Sequence, residues 1–287
     1  MPVVHQFAYG AVNPIVAFFL AFVGSMFGLT CTERARRADR PGRRARWLAL
    51  AALAIGGGAV WLMHFMAMLG FDVPATDVRF DLPLTAASFV IAVVVVAGGL
   101  FLVGFGRPTF VKVFFGAVLT GGGIAAMHYT GMAALLLGGH LSYDTQLVGA
   151  SVLIAIAAAL VALWFTIAVR GWKAITVASA IMAAAVCAMH YTAMAAMSVH
   201  LDPVGTPARV HGFSPLSLIV PIIVLGAAAA MGLIFVAISM MGDEEFHARP
   251  EIDPRTPVSP AVAPPASASL REFDAHHRSA ALRSHRG

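Results

Sequence analysis

Three histidines in long apolar stretches of the sequence are each followed, four residues later, by a methionine. The pairs are His64 with Met68, His128 with Met132, and His190 with Met194. Residues four apart lie on the same face of a helix, so each pair would present an imidazole nitrogen and a thioether sulfur together. This combination of donors suits copper, and cuprous copper above all. One further methionine precedes each histidine, and it points about 100° away around a helix: Met63, Met127 and Met189.

The residues around these histidines are themselves repeated. "AAMHYTGMAAL" at 125–135 returns as "CAMHYTAMAAM" at 187–197 and, with changes, as "WLMHFMAMLG" at 61–70. A single buried histidine with neighbouring methionines is usually a packing feature. Packing tolerates many substitutions among apolar residues, however, so it gives no reason to repeat one polar residue three times. The repetition favours one shared functional site.

Two of the three copies also carry hydroxyl groups next to the histidine. Tyr129 and Thr130 follow His128 in one copy, and Tyr191 and Thr192 follow His190 in another. Such hydroxyls can orient metal-binding imidazoles through hydrogen bonds, although they can equally line a packed core. The first copy has Phe65 and Met66 at these positions, so it either has a different role or is degenerate.

The elements that carry these residues are predicted to be membrane-spanning helices. The chain of 287 residues is 59% hydrophobic and 11% charged, whereas soluble domains have roughly 25% charged residues. A helix needs about 20 apolar residues to cross a bilayer. Seven stretches without Asp, Glu, Lys or Arg meet this requirement, at 11–31, 47–69, 84–105, 113–137, 147–169, 174–198 and 216–241. The sequence predicts an all-α, seven-transmembrane helical bundle.

Basic residues predict how the bundle is oriented, because they collect in cytoplasmic loops. The loop after the first span, "TERARRADRPGRRARW", has seven arginines. Loops on the same side add Arg107, Lys112, Arg170 and Lys173, whereas the opposite loops have only Arg79 and Arg209. We therefore expect the N-terminus outside and the C-terminus inside. The three histidines would lie in the outer half of the membrane, 5, 9 and 8 residues from the predicted helix ends.

The chain is organised as repeats of helix pairs. The histidines are 64 and 62 residues apart, so each pair of spans restores the chain to its starting side and gives three parallel two-helix repeats. Glycine runs at 56–58 and 121–123 predict close helix packing. Residues 1–241 form the predicted membrane domain. Residues 242–287, rich in Pro, Ala and Ser, are predicted to be a disordered cytoplasmic tail, too short for an output enzyme.

The same features narrow the functional class. The short loops account for the basic balance, so we expect no nucleic-acid partner. No arrangement of nucleophile and base is present, so we expect no enzyme. Three functions remain: a metal-dependent membrane sensor, a copper carrier or transporter, and a haem protein held by two histidines. A carrier should have ligands at successive depths, and the inner halves of the spans show none in register.

Over about residues 8–241 the chain resembles the MHYT-domain family of bacterial integral membrane proteins, through Met127–Thr130 and Met189–Thr192. The resemblance implies a sensor in the bacterial cytoplasmic membrane that binds copper near the outer face and perceives oxygen, carbon monoxide or nitric oxide. Family members are often fused to diguanylate cyclase, phosphodiesterase or kinase modules, which implies a cytoplasmic signalling partner here. The family's metal-binding positions fall on Met63, His64, Met68, Met127, His128, Met132, Met189, His190 and Met194.

Overall fold

All seven apolar stretches form helices that are long and apolar enough to cross a membrane. The computed structural model describes residue 5 and residues 7–201 and 212–248, with side chains as far as Phe235. The helices are α1 (Val12–Arg37), α2 (Pro41–Ala52), α3 (Leu62–Met68), α4 (Leu82–Gly104), α5 (Phe110–Ala133), α6 (Thr145–Ala168), α7 (Trp172–Ala195) and α8 (Ile219–Ala248). A π-helical segment, Leu53–Trp61, joins α2 to α3 in one span. The predicted seven-helix bundle is confirmed.

Six of the spans close into a ring. Each span packs against the next one along the chain, and α7 returns to pack against α1. The three helices that carry the motif, α3, α5 and α7, alternate with the others and run in the same direction, as the parallel repeats require. We call the end of the bundle where they finish the motif end, and the opposite end, where α1, α4 and α6 finish, the arginine end.

Local sequence signals set the levels at which the helices begin. Asp81 and Asp144 cap α4 and α6 at the motif end, each accepting a backbone N–H from the first turn. At the arginine end Thr109 caps α5, and Gly171 precedes α7 with a φ of 76° that favours glycine. Two of the three motif helices, α5 and α7, thus start from a defined turn at the arginine end.

The glycine runs bring neighbouring helices into backbone contact, but only at some of their positions. A Cβ on Gly56 would lie 2.6 Å from the carbonyl oxygen of Ala92 in α4. One on Gly121 would lie 2.5 Å from Cα of Ile156 in α6. Gly122 has no heavy atom within 4 Å of such a Cβ. Close packing therefore explains Gly56 and Gly121, whereas it gives no reason for Gly122.

Short strands cover the motif end, which the sequence did not predict. The strands are β1 (Arg79–Phe80), β2 (Leu135–Leu136), β3 (Gly139–Tyr143) and β4 (Met197–Leu201); β1 pairs with β2 and β3 with β4, both antiparallel. The expected spans ended at 137 and 198, whereas α5 and α7 end at Ala133 and Ala195. The apolar residues beyond these ends are buried by strand pairing instead, which also satisfies their backbone groups.

The chain divides into two units, residues 1–241 and 242–287. Helix α8 continues to Ala248, seven residues beyond the predicted end of the last span. Most of the predicted tail, residues 249–287, lies outside the described residues. Its disorder stays a prediction, as does the orientation of the bundle in the membrane.

Two adjacent glycines provide a test of the packing. We expect Gly121→Ala to destabilise the bundle by about 1 to 3 kcal/mol, because the new methyl group would overlap the backbone of α6. Thermal unfolding in detergent would measure this as a lower midpoint. Gly122→Ala is the matched control and should unfold like the unmodified protein. Equal midpoints for both variants would contradict the close contact between α5 and α6.

Candidate metal centre

Three imidazoles meet at the motif end of the bundle. They belong to His64 on α3, His128 on α5 and His190 on α7, and each residue is 1% exposed. The Nδ1 atom of His64 lies 3.1 Å from Nδ1 of His128 and 3.1 Å from Nδ1 of His190. One ligand atom from each residue lies within 4.8 Å of the others. The three copies of the motif thus form a single group, which we call the histidine triad.

Hydrogen bonds among the imidazoles cannot satisfy this arrangement. The Nδ1 atom of a neutral imidazole carries either one proton or one lone pair. With a proton, Nδ1 of His64 can donate to only one of its two neighbours; with a lone pair, it can accept from only one. One of the two 3.1 Å contacts therefore lacks a hydrogen bond whichever tautomers are present. Unpaired polar atoms are costly in a buried place.

A metal ion would satisfy all three nitrogens at once. Bonds of about 2.0 to 2.1 Å from one ion place its nitrogen ligands roughly 3.3 to 3.6 Å apart. The observed separations of 3.1 Å need an outward movement of only a few tenths of an ångström to match. Imidazole nitrogen suits copper, zinc, iron and nickel. The donor set of the histidine triad therefore fits a transition metal.

One glycine leaves the space that the Nε2 atom of His64 occupies. This atom is buried without a hydrogen-bond partner among the described residues, as is Nε2 of His128. A Cβ on Gly131 would lie 2.5 Å from Nε2 of His64. Alanine occupies the equivalent position in the other two copies, at Ala67 and Ala193. Only glycine in the second copy leaves room for the imidazole of the first.

An aromatic ring packs edge-on against each histidine of the triad. The ring belongs to the residue that follows the histidine, with centroids 4.7 Å apart for Phe65, 5.1 Å for Tyr129 and 5.0 Å for Tyr191. Phe65 thus fills the same position as the two tyrosines, so the first copy is not degenerate in its packing. We call these three rings the aromatic collar.

Of the two roles that the sequence left open for the tyrosine hydroxyls, the structure does not show hydrogen bonds to the imidazoles. The hydroxyl of Tyr129 is hydrogen-bonded to Oγ of Ser151 on α6, at 2.8 Å. The hydroxyl of Tyr191 has no hydrogen-bond partner among the described residues, and its ring packs against Phe7. It is the ring, and not the hydroxyl, that all three copies share at this position.

The six predicted methionine ligands are all buried in the bundle core. Met63 lies in a small cluster with Ala17 and Ala21 of α1 and Ala183 of α7. The others belong to the main core: Met68, Met127, Met132, Met189 and Met194. Burial leaves their thioethers inside the same bundle as the imidazoles, and their role as ligands stays a prediction.

The triad lies closer to the motif end, and at a more even depth, than the sequence indicated. His64, His128 and His190 precede the last residues of their helices by four, five and five positions, or roughly 6 to 8 Å at the usual helical rise. The predicted helix ends were too late for α5 and α7 because the strands that follow them are also apolar. Those strands follow directly after α5 and α7 at the motif end.

Sequence reasoning missed three parts of this site: Gly131, the aromatic collar and the covering strands. The first two had a detectable signal, because all three copies have a small residue three positions after the histidine and an aromatic residue directly after it. Strands β1 and β2 had none, since they are only two residues long.

Seven apolar helices and a buried histidine triad describe a multi-pass membrane protein, and comparison with known families shows which kind. The family model described as "Bacterial signalling protein N terminal repeat", MHYT, matches the chain three times, at residues 57–116, 121–182 and 184–247. Each match contains one histidine of the triad. The chain belongs to the MHYT family, as the sequence motif predicted.

Several curated bacterial proteins are similar to the chain over part of their length. The bifunctional diguanylate cyclase/cyclic di-GMP phosphodiesterase MucR of Pseudomonas aeruginosa is 40% identical over 191 residues, 64% of this chain and 28% of that protein. The cyclic di-GMP phosphodiesterase NbdA of the same organism is 38% identical over 200 residues, 67% of this chain and 25% of that protein. The chain thus spans about a quarter of the length of these relatives. No solved structure matches it.

The fit between Gly131 and His64 can be tested directly. Gly131→Ala would push the imidazole of His64 away from the other two, because the new methyl group would overlap Nε2. We expect the affinity for copper(I), measured by competition with a chromogenic chelator, to fall at least tenfold. Gly122→Ala, on the same helix, is the control and should keep the affinity. An unchanged affinity in Gly131→Ala would contradict the role of His64 at the triad.

Proposed function

We propose that this membrane signalling protein is a sensor that binds copper through the histidine triad and perceives a diatomic gas or the redox state. The proposal rests on one observation above all, the convergence of three buried Nδ1 atoms that hydrogen bonding cannot satisfy. We further propose that the motif end faces outside in the bacterial cytoplasmic membrane, because the arginines lie at the other end.

Copper is favoured over other metals by the donors near the triad. The group contains no carboxylate, which disfavours magnesium and calcium. Zinc accepts imidazole, but it gains little from methionine. The core around the triad holds Met68, Met132 and Met194, each one helical turn beyond a histidine, and thioethers select cuprous copper. When bound, copper would supply a centre that can change its oxidation state and take a small ligand.

A small apolar cavity next to the triad supports a gas as the stimulus. It has a volume of about 40 Å³ and is lined by Val60, Ile124 and Val186, which precede the three histidines by four residues each. The cavity therefore lies one helical turn toward the arginine end. Apolar cavities stay dry and take up small nonpolar molecules. Oxygen, carbon monoxide and nitric oxide are molecules of this kind.

The same geometry weakens the other two functions. Two axial histidines of a haem lie on opposite faces of the macrocycle, and Nδ1 atoms 3.1 Å apart leave no room for the ring between them. A copper carrier needs further ligands along its path. The lining of the cavity one turn below the triad offers a single thioether, Met182, and no imidazole, thiol or carboxylate.

Signalling would follow from the position of the triad between three helices of the ring. A change in ligand or oxidation state that alters the nitrogen separations must move α3, α5 and α7 relative to one another. The curated relatives carry names of cyclic di-GMP enzymes. We propose that the partner of this chain is likewise a cytoplasmic signalling protein, reached at the arginine end, and that the chain itself catalyses no reaction.

Metal analysis of the purified protein tests the proposal. The unmodified protein should contain copper, and a variant with His64→Ala, His128→Ala and His190→Ala should lose at least nine-tenths of it, because no nitrogen ligand remains. His5→Ala removes an exposed histidine and should keep the metal. Copper that stays in the triple variant, or a protein that takes up none when reconstituted with copper(I), would disprove the proposal.

The role of the apolar cavity can be tested by filling it. Ala159 of α6 lines the cavity, so Ala159→Leu should abolish xenon binding, seen as a xenon NMR shift, and weaken the response of the copper-loaded protein to carbon monoxide. Ala157→Leu places the same side chain on the exposed face of α6 and is the matched control. If Ala159→Leu keeps both signals, gas does not use this cavity.

A further inference from the structure

A second cavity, at the arginine end of the bundle, is lined by three arginines. It has a volume of about 280 Å³ and lies where α1, α2, α4 and α6 meet. Arg36 reaches it from α1, Arg44 from α2 and Arg170 from the turn after α6. No acidic side chain of the described residues lines it. We call this the arginine cavity.

Two of these arginines are held in place by backbone carbonyl groups. Arg36 donates to the carbonyl oxygens of Thr166 and Val169 at the end of α6, and Nε of Arg44 donates to Ala35, at 3.2 Å. These bonds fix the guanidinium groups without neutralising their charge. Two of the three cations of the cavity are therefore positioned by the fold, and Arg170 lies exposed at its rim.

The positive charge of the arginine cavity is only partly balanced by the protein. Glu33 is buried and attracts Arg36, but it forms its ion pair with Arg37 and does not line the cavity. No carboxylate of the described residues pairs with Arg36, Arg44 or Arg170 within 4.0 Å. Like charges repel more strongly in a half-buried place than in water. An anion in the cavity would relieve this repulsion.

The shape of the cavity indicates what kind of anion it suits. Arg170, Gly106 and Pro108 are exposed at its rim, whereas Leu48, Leu100 and Val103 form a buried apolar floor. Guanidinium groups match the oxygens of a phosphate with paired hydrogen bonds. The apolar floor adds space for hydrocarbon attached to that phosphate. A carboxylate or chloride would use the charge but neither the paired donors nor the floor.

We propose that the arginine cavity is a binding site for a phosphate group, supplied either by an anionic phospholipid or by a soluble phosphate. The ligand would join α1, α2 and α6 at the end of the bundle opposite the histidine triad. This site is independent of the metal, so its failure would leave the proposed sensor function untouched. It differs from the general attraction of basic loops to anionic membranes, because it needs these three arginines and not others.

The test compares two variants that remove the same charge. Arg170 is exposed and forms no hydrogen bond that the fold needs among the described residues, so Arg170→Gln should fold normally. Arg43→Gln removes an exposed arginine on α2 that does not line the cavity. Each protein would be delipidated in detergent and titrated with phosphatidylglycerol in one series and inorganic phosphate in the other. Native mass spectrometry would count bound lipid, and calorimetry would measure phosphate.

We expect the unmodified protein and Arg43→Gln to bind one phosphate-bearing ligand, and Arg170→Gln to bind it at least tenfold more weakly. Retention of phosphatidylglycerol alone identifies a lipid site, and binding of inorganic phosphate as well identifies a site open to soluble phosphates. Equal weakening in both variants would mean that charge alone attracts the anion and would overturn the proposal. So would a lack of binding in both series.

Discussion

The structure depends on the contact between three neutral imidazoles inside an apolar bundle. Each Nδ1 atom of the triad faces another nitrogen at a distance that protons alone cannot satisfy for all three. Burying nitrogens without hydrogen-bond partners costs free energy, so another interaction must offset this cost. A cation bound between them would make three converging lone pairs favourable.

The rest of the bundle serves to hold these nitrogens at one level. Parallel repeats deliver three helices to the same end, and the turns at Thr109 and Gly171 set where two of them, α5 and α7, begin. Gly121 lets α5 approach α6, and Gly131 leaves space for His64 beside α5. The aromatic collar limits how each imidazole can turn. The π-helical segment before His64 changes the number of residues per turn just where the first motif begins.

Much of this could be predicted from the sequence, because its strongest signals are long or repeated. The spans follow from uncharged apolar stretches, and the triad follows from three histidines at a regular interval on parallel helices. The covering strands could not be predicted, since an apolar pair such as Leu135 and Leu136 continues the hydropathy of the helix before it. The function of Gly131 depends on a side chain 67 positions away, and the sequence does not show that the two meet.

The histidine triad and the arginine cavity lie at opposite ends of the bundle. Packed helices connect the two ends, and a movement at one end would reach the other through them. Helix α6 packs against both α5 and α7, which carry His128 and His190. The last turn of α6 accepts the hydrogen bonds of Arg36 on α1, and α1 packs in turn against α7. We propose that a change in the spacing of α5 and α7 would act on α6 and, through its final carbonyl groups, on the arginine end. Rigid helices with glycine contacts transmit such a movement, whereas loosely packed ones would absorb it.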